Sequence, residues 1–149
     1  MTQPASFDLE RFVTAQAPVF DTALGELRAG RKRSHWMWFV FPQLRGLGHS
    51  PTATFFGIVS LEEARAYLGH PVLGARLHLA ATAVLEAGEP SLHALFGSPD
   101  DMKFHSSMTL FALASEKERT PFSAALERWF DGRMDEATLA LLGRPTSRA

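Results

Sequence analysis

The stretch His35-Trp-Met-Trp-Phe-Val-Phe41 decides the fold class, because it is the one apolar run in the chain that could form a β-strand. A strand would need a partner, and no second β-branched run or hairpin turn is evident in the sequence. The run follows Ser34, a preferred helix N-cap residue, and precedes Pro42, before which helices usually end. We therefore predict a buried helix over this run, capped by Ser34.

Helix start signals recur through the rest of the chain. They combine a capping Ser, Thr or Asp with Pro at the first position or acids in the first turn. Helices are predicted to begin at Ser6, Pro18, Ser60, Pro71, Ser91, Ser98, Thr120 and Asp135. Ser60 and Glu63 fit a capping box, and the helix after Ser98 is predicted to run to Ala114. Glycines and Pro51 predict a loop between Gln43 and Thr54. The whole pattern predicts an all-α, compact single domain of about eight helices over residues 1–149.

Composition excludes several classes of protein. The chain has 149 residues, of which 46% are hydrophobic, and it contains no cysteine, so disulfide scaffolds, iron–sulfur clusters and thiol catalysis are excluded. No apolar run reaches the ~18 residues of a membrane span, and the N-terminus lacks a signal-peptide pattern. The six histidines form no His-x3-His pair or other metal motif. We expect a cytoplasmic protein with no membrane association, no metal and no cofactor.

The formal net charge of −1 hides an uneven distribution. Residues 28–61 carry five cations and no carboxylate, which leaves ten cations and sixteen acids in the rest of the chain. Cations gathered in one segment raise the local potential and attract anions. A solvated basic loop is the alternative interpretation of the same pattern.

The first candidate constellation lies inside this basic segment. If Ser34 caps a helix, the free N–H groups of its first turn face the same space as the neighbouring cations, which suits a phosphate or carboxylate. One of Trp36 and Trp38 is expected in the core, since they lie about 200° apart on a helix, and Trp36 could stack on a planar ring. The alternative is that both indoles are core and the cations keep the surface soluble. The candidate ligand-binding residues here are Arg31, Lys32, Arg33, Ser34, His35 and Trp36.

The second constellation lies on the helix predicted after Ser98. Consecutive Ser106 and Ser107 are unfavourable in a helix interior, and a broken local rule is more frequent at functional sites. Two of the three lysines in the chain, Lys32 and Lys103, fall in the two constellations. Asp100, Asp101 and Lys103 are the candidate catalytic residues, and Ser106 and Ser107 are candidate ligand-binding residues. Hydroxyls that bond back to helix carbonyls at a helix–helix contact are the alternative.

These same residues carry a resemblance to a known family. Residues 30–43, followed by Leu47-Gly48-x-Ser50-Pro51, resemble the signature of the bacterial domain-of-unknown-function family 1810. Residues 60–68, 96–103 and 106–111 match as well, so the resemblance covers nearly the whole chain. It implies an all-α fold like that of the mycobacterial protein that types the family. At residues 54–57 the chain departs from the family, which more often has a basic residue and Tyr before its Gly-Ile.

The resemblance leaves the function open. Members are often labelled calpastatin, but such inhibitors are long disordered chains, whereas this sequence encodes a compact aromatic-rich domain. A second, weaker resemblance links the family to small helical proteins that process ADP-ribose-type N-glycosides. One hypothesis is therefore a pocket that binds, and in its enzymatic form hydrolyses, a small phosphate-containing ligand of nucleotide or ADP-ribose type. The other is a non-enzymatic module that presents residues 28–45 to a protein partner. The net charge of −1 and the lack of a recognised motif argue against nucleic acid as the partner.

Overall fold

The computed structural model describes residues 7–143, which contain ten α-helices. In chain order these are α1 (Glu10–Gln16), α2 (Phe20–Arg28), α3 (Met37–Val40), α4 (Pro51–Phe56), α5 (Leu61–Gly69), α6 (Leu73–Leu85), α7 (Leu92–Phe96), α8 (Asp100–Ala114), α9 (Pro121–Phe130) and α10 (Glu136–Leu141). Within these residues no strand forms, and β-type pairing is confined to an isolated bridge between Leu44 and Ile58. The all-α class is confirmed, with ten helices where about eight were predicted.

Four of the predicted helix starts are confirmed by side-chain caps, whereas the helices predicted to open at Pro18 and Pro71 begin two residues later, at Phe20 and Leu73. The side chains of Ser60, Ser91, Thr120 and Asp135 each accept a hydrogen bond from the backbone N–H three residues further on. The capping box at Ser60 is only half formed, because the carboxylate of Glu63 accepts the N–H of Val59 at 2.8 Å and not that of Ser60. The predicted cap at Ser6 lies outside the described residues.

Three local predictions are wrong. α3 begins at Met37 with Trp36 at its N-cap, so Ser34 lies too far upstream to cap it. Pro99 itself occupies the N-cap of α8, which places the hydroxyl of Ser98 one residue too early to reach the first free N–H groups. The predicted loop between Gln43 and Thr54 contains the start of α4, for which Ser50 supplies the cap and Pro51 the first residue.

Helix α8 is the centre of the domain. It packs against α5, α7, α9 and α10, and residues 106–111 are buried without interruption. A helical segment buried on all sides shows no amphipathic stripe. The adjacent serines Ser106 and Ser107 therefore lie in the enclosed part of α8, whereas its first turns are partly exposed.

An aromatic cluster joins the N-terminal part of α8 to α7 and to the end of α3. The ring of Phe104 lies 5.1 Å from that of Phe41 and 5.2 Å from that of Phe96, measured between centroids. Trp36 extends the cluster at 6.3 Å from Phe41. Aromatic pairs at such separations add stability beyond their buried area. The cluster fixes the basic segment, which enters α3, relative to the beginning of α8.

The bridge at Leu44 closes a loop around α4. The N–H of Ile58 donates to the carbonyl of Gln43 at 2.9 Å, and the N–H of Arg45 donates to the carbonyl of Ile58 at 2.8 Å. Residues 44–58, which include α4, thus form a loop whose two ends are joined by these hydrogen bonds. The hydrogen bond from Ile58 holds the backbone of Gln43 in place beside α3.

Candidate ligand-binding site

The basic segment before α3 is not helical, and its side chains alternate in exposure. Arg31, Arg33 and His35 are exposed, whereas Lys32 and Trp36 are directed inward, with 8% of the Lys32 side chain accessible. The N–H of Lys32 donates to the carbonyl of Leu95 at 2.8 Å, which attaches the segment to α7. The expectation that the three cations face one anion is therefore wrong, because Lys32 is directed inward while Arg31 and Arg33 are exposed.

Glu26 occupies the place that was predicted for an external anion. Its carboxylate accepts the N–H of Arg33 at 2.8 Å, the N–H of Ser34 at 3.0 Å and the indole N–H of Trp36 at 2.8 Å, and it also accepts the hydroxyl of Ser34. Burial alone would raise the pKa of Glu26, but these hydrogen bonds outweigh it and lower the pKa to about 2. Ser34 and the neighbouring N–H groups are thus satisfied within the chain.

The two tryptophans have separate roles. Trp36 is 1% exposed and bonded to Glu26, so its ring faces are closed to a ligand and the predicted stacking role is wrong. Trp38 is half-buried, and the Nζ atom of Lys103 lies 3.4 Å from the centroid of its ring. Trp38 is therefore the indole that is available beside the candidate site.

Lys32, Asp100 and Lys103 come together, although the first lies before α3 and the others on α8. Oδ2 of Asp100 lies 2.9 Å from Nζ of Lys32, and Oδ1 lies 3.5 Å from Nζ of Lys103. Nζ of Lys32 also donates to the carbonyl of Ser34 at 2.6 Å. We call these three side chains the lysine–aspartate cluster. Its two ammonium groups and one carboxylate carry a formal charge of +1.

A cleft of about 270 Å³ adjoins the cluster, and Lys103 is the cluster residue that lines it. Indole, amide, ammonium, hydroxyl and carboxylate groups meet in this cleft. Its lining residues are Trp38, Gln43, Leu47, Gly48, Pro99, Met102, Lys103, Ser106, Asp135 and Ala137. We call it the Lys103 cleft. The Gln43 amide lines the cleft and makes no hydrogen bond with residues 7–143, so its donors and acceptor are open to a ligand.

Asp135 links the cleft to α10. Its Oδ2 atom accepts the N–H and the hydroxyl of Thr138 and the hydroxyl of Ser106, the last at 3.0 Å. Ser106 therefore joins α8 to the N-terminus of α10, which is a structural role in addition to its position in the lining. Neither Asp135 nor Gln43 was predicted from the sequence as a site residue. The only sequence signal at Asp135 was that of a helix cap.

The remaining predicted residues lie elsewhere. Asp101 faces a second cleft of about 740 Å³, where its Oδ2 atom lies 3.6 Å from Nδ1 of the exposed His93. Ser107 is fully buried, and its hydroxyl has no hydrogen-bond partner in the described part of the chain. The two candidate catalytic aspartates thus point to different surroundings, and neither lines the Lys103 cleft.

The described residues contain neither a metal site nor a membrane-spanning helix. No group of three or more His, Asp or Glu side chains could hold a metal ion there. None of the helices over residues 7–143 is long and apolar enough to cross a membrane.

The fold and the cleft define a small all-α protein with a lysine-flanked polar cleft at one end of its central helix. The model of the family described as "Protein of unknown function (DUF1810)" matches residues 6–142, and the chain belongs to that family. Among solved structures it is similar to the conserved hypothetical protein Rv1873 from Mycobacterium tuberculosis, with 55% identity and a TM-score of 0.89. The match covers 93% of this chain and 99% of that one. No curated protein matches the sequence.

Proposed function

We propose that the chain binds a small phosphate-containing molecule of nucleotide or ADP-ribose type in the Lys103 cleft. The observation that carries this proposal is the position of Lys103. Its ammonium group lies against Trp38, lines the cleft and meets only one carboxylate oxygen, at 3.5 Å. An ammonium group has three donors, so Lys103 has donors left for a ligand oxygen.

The other lining groups complement different parts of such a ligand. Trp38 offers an indole surface for a planar ring, and the Gln43 amide can both donate to and accept from a ring edge. In Asp135 the Oδ1 atom accepts no hydrogen bond from residues 7–143, which suits a sugar hydroxyl or a ring N–H. An ammonium and a carboxylate in the same lining favour a molecule with both a phosphate and a donor group.

Hydrolysis of such a ligand requires a carboxylate that orients water. Asp100 forms ion pairs with Lys32 and Lys103, and Asp101 faces the second cleft. Asp135 is the carboxylate in the cleft lining, and we assign it this role in place of the two predicted aspartates. Product analysis after incubation with AMP and ADP-ribose, for the wild type and Asp135→Asn, tests the assignment.

Binding is tested by thermal shift and calorimetry with AMP, ADP and ADP-ribose. A ligand at 100 times its Kd stabilises a protein by about 2.7 kcal/mol. We expect stabilisation of the wild type and loss of most of it in Lys103→Met. Lys117→Met is the matched control, since it removes the same charge from an exposed position outside the Lys103 cleft. The absence of a shift at millimolar concentration of all three nucleotides would refute the proposal.

A second candidate function rests on the exposed arginines of the basic segment. Arg28, Arg31 and Arg33 are exposed, and none forms an ion pair with a carboxylate of residues 7–143. Free cations on a segment fixed by Glu26 suit a protein-interaction surface for an acidic partner. Polyglutamate binding at two salt concentrations tests it, with Arg31→Glu/Arg33→Glu expected to abolish binding while Lys103→Met retains it.

A further inference from the structure

Lys103 covers one face of the Trp38 indole. Its Nζ atom lies 3.4 Å from the centroid of the ring, well inside the limit of about 6 Å for a cation–π contact. Both side chains line the Lys103 cleft, and 18% of the Lys103 side chain is exposed. At this separation no ring fits between the ammonium group and the indole. A planar ligand ring and the ammonium group therefore compete for the same indole face.

We propose that Lys103 is a specificity-determining residue, which covers this face until an anion engages its ammonium group. This inference rests on the proposed function and specifies its substrate class. The ligand is a phosphate ester that carries a planar ring, such as a mononucleotide. A nucleoside has the ring but no anion to engage Lys103. A sugar phosphate engages Lys103 but has no ring to place on Trp38.

The cation–π contact is the interaction that a ligand ring has to replace. Oδ2 of Asp100 is 2.9 Å from Nζ of Lys32, so Lys32 already neutralises that carboxylate. Oδ1 of Asp100 is 3.5 Å from Nζ of Lys103, beyond the usual N–H···O range of about 2.7–3.2 Å. Asp100 and Lys103 are three residues apart on α8 and hence neighbours on its surface, so the ammonium group can leave the indole and stay near Asp100. A neutral ring thus gains the indole face only by displacing the cation.

An anion lowers the cost of this displacement. The face of an aromatic ring carries negative charge density, which is why it attracts an ammonium group. A phosphate oxygen that accepts a hydrogen bond from Nζ offsets the positive charge, so the ammonium group is held less strongly on the indole. Binding of phosphate therefore raises the affinity for a ring, and by linkage the ring raises the affinity for phosphate by the same factor.

Adenosine and inorganic phosphate test this coupling as separate molecules. NMR titrations of the wild type measure the affinity for adenosine in saturating phosphate and in sodium chloride of equal ionic strength. We expect phosphate to raise this affinity by about three- to tenfold, which corresponds to the strength of a cation–π contact at a partly exposed site.

Lysine-selective isotope labelling follows the position of Lys103 directly, because the chain has three lysines. The protons on Cε of Lys103 should be shifted by the ring current of Trp38 in the free protein. This shift should largely disappear when AMP binds, since the ammonium group then leaves the indole. The signals of Lys117, which is exposed and lies outside the cleft, should not change.

Lys103→Ala uncovers the indole and removes the ammonium group. We expect this variant to bind adenosine about three- to tenfold more tightly than the wild type and AMP more weakly, so the two affinities change in opposite directions. A lysine that only binds phosphate would leave the affinity for neutral adenosine unchanged. Lys117→Ala is the matched control, and it should leave both affinities at their wild-type values.

The outcomes separate this inference from the proposed function. If the wild type binds neither AMP nor inorganic phosphate, the proposed function and the inference both fail. If AMP binds but phosphate leaves the affinity for adenosine unchanged, the inference alone is overturned. The same conclusion follows if the Lys103 protons keep their shift in the AMP complex, or if folded Lys103→Ala binds adenosine no more tightly than the wild type. The coupling in the wild type and the Lys103 signals remain decisive if Lys103→Ala does not fold.

Discussion

The indole N–H of Trp36 donates to the carboxylate of Glu26 at 2.8 Å, and this contact orders the segment between them. Glu26 lies on α2 and Trp36 at the start of α3, so one carboxylate fixes how the chain passes from one helix to the next. The N–H groups of Arg33 and Ser34 bind to the same carboxylate. The inward direction of Lys32 is a consequence of this arrangement.

Glu26→Gln should destabilise the protein in a pH-dependent way. At neutral pH we expect a loss of about 1–3 kcal/mol, because an amide replaces a charged acceptor of several hydrogen bonds. The pKa of Glu26 is lowered from 4.5 to about 2, so its contribution is present above pH 4.5 and is lost as the pH falls towards 2. Urea unfolding of both proteins between pH 2 and 7 measures the difference. A difference that stays constant over this range would contradict the pairing.

Alanine substitution of the two tryptophans should affect different properties, namely stability for Trp36 and ligand binding for Trp38. Trp36→Ala is expected to lower the free energy of unfolding by about 3–5 kcal/mol, since it removes a buried ring from the aromatic cluster. Trp38→Ala should cost less and should weaken AMP binding, because Trp38 lines the cleft. Chemical unfolding and calorimetry on both variants check this. Normal AMP affinity in a folded Trp38→Ala would remove the indole from the proposed site.

Ser106 and Ser107 should respond in opposite directions to alanine substitution. Ser106→Ala loses the bond to Asp135 and is expected to cost about 1 kcal/mol. Ser107→Ala removes a buried hydroxyl without a partner in the described residues, so we expect no loss or a gain of up to about 1 kcal/mol. Thermal unfolding of the two variants measures both. Equal losses would mean that the Ser107 hydroxyl has a bonding role.

Gly74 and Gly25 form a second matched pair. A Cβ atom at Gly74 would lie 2.2 Å from the carbonyl oxygen of Leu68, so Gly74→Ala should push α6 away from α5 at a cost of about 1–3 kcal/mol. A Cβ atom at Gly25 meets nothing within 4 Å, and this exposed residue lies inside α2. Gly25→Ala should therefore stabilise the protein by about 0.5–1 kcal/mol. Denaturation midpoints of the two variants should shift in opposite directions.

Helix starts were predictable where the signal is local. A cap at Ser91, Thr120 or Asp135 bonds to an N–H three residues away, so the interaction is contained in the sequence pattern. The same reasoning failed at Ser34, because its hydroxyl bonds to a carboxylate eight residues upstream on α2. Single-sequence patterns do not show whether a serine side chain will accept from a local backbone N–H or donate to a carboxylate on another helix.

The site was only partly predictable for a related reason. Lys32 was predicted as a member of the basic segment and Lys103 as a partner of Asp100 and Asp101, and the structure brings both lysines to Asp100. Gln43 and Asp135 line the same cleft, but only tertiary packing brings them near α8. The failure at Arg31, Arg33 and Trp36 follows from the predicted helix start at Ser34, because α3 begins only at Met37 and the exposure of the side chains alternates in the non-helical segment before it.

The bridge between Leu44 and Ile58 joins the two ends of residues 44–58, so this part of the chain should tolerate a change in its length. Hydrogen bonds hold both ends of this loop together, so residues can be added between them without moving Gln43. The entropy of loop closure rises slowly, by about 0.6 kcal/mol for each doubling of loop length. Residues inserted between the exposed His49 and Ser50 should therefore leave Gln43 in place, and any change in the cleft should be confined to the part that Leu47 and Gly48 line.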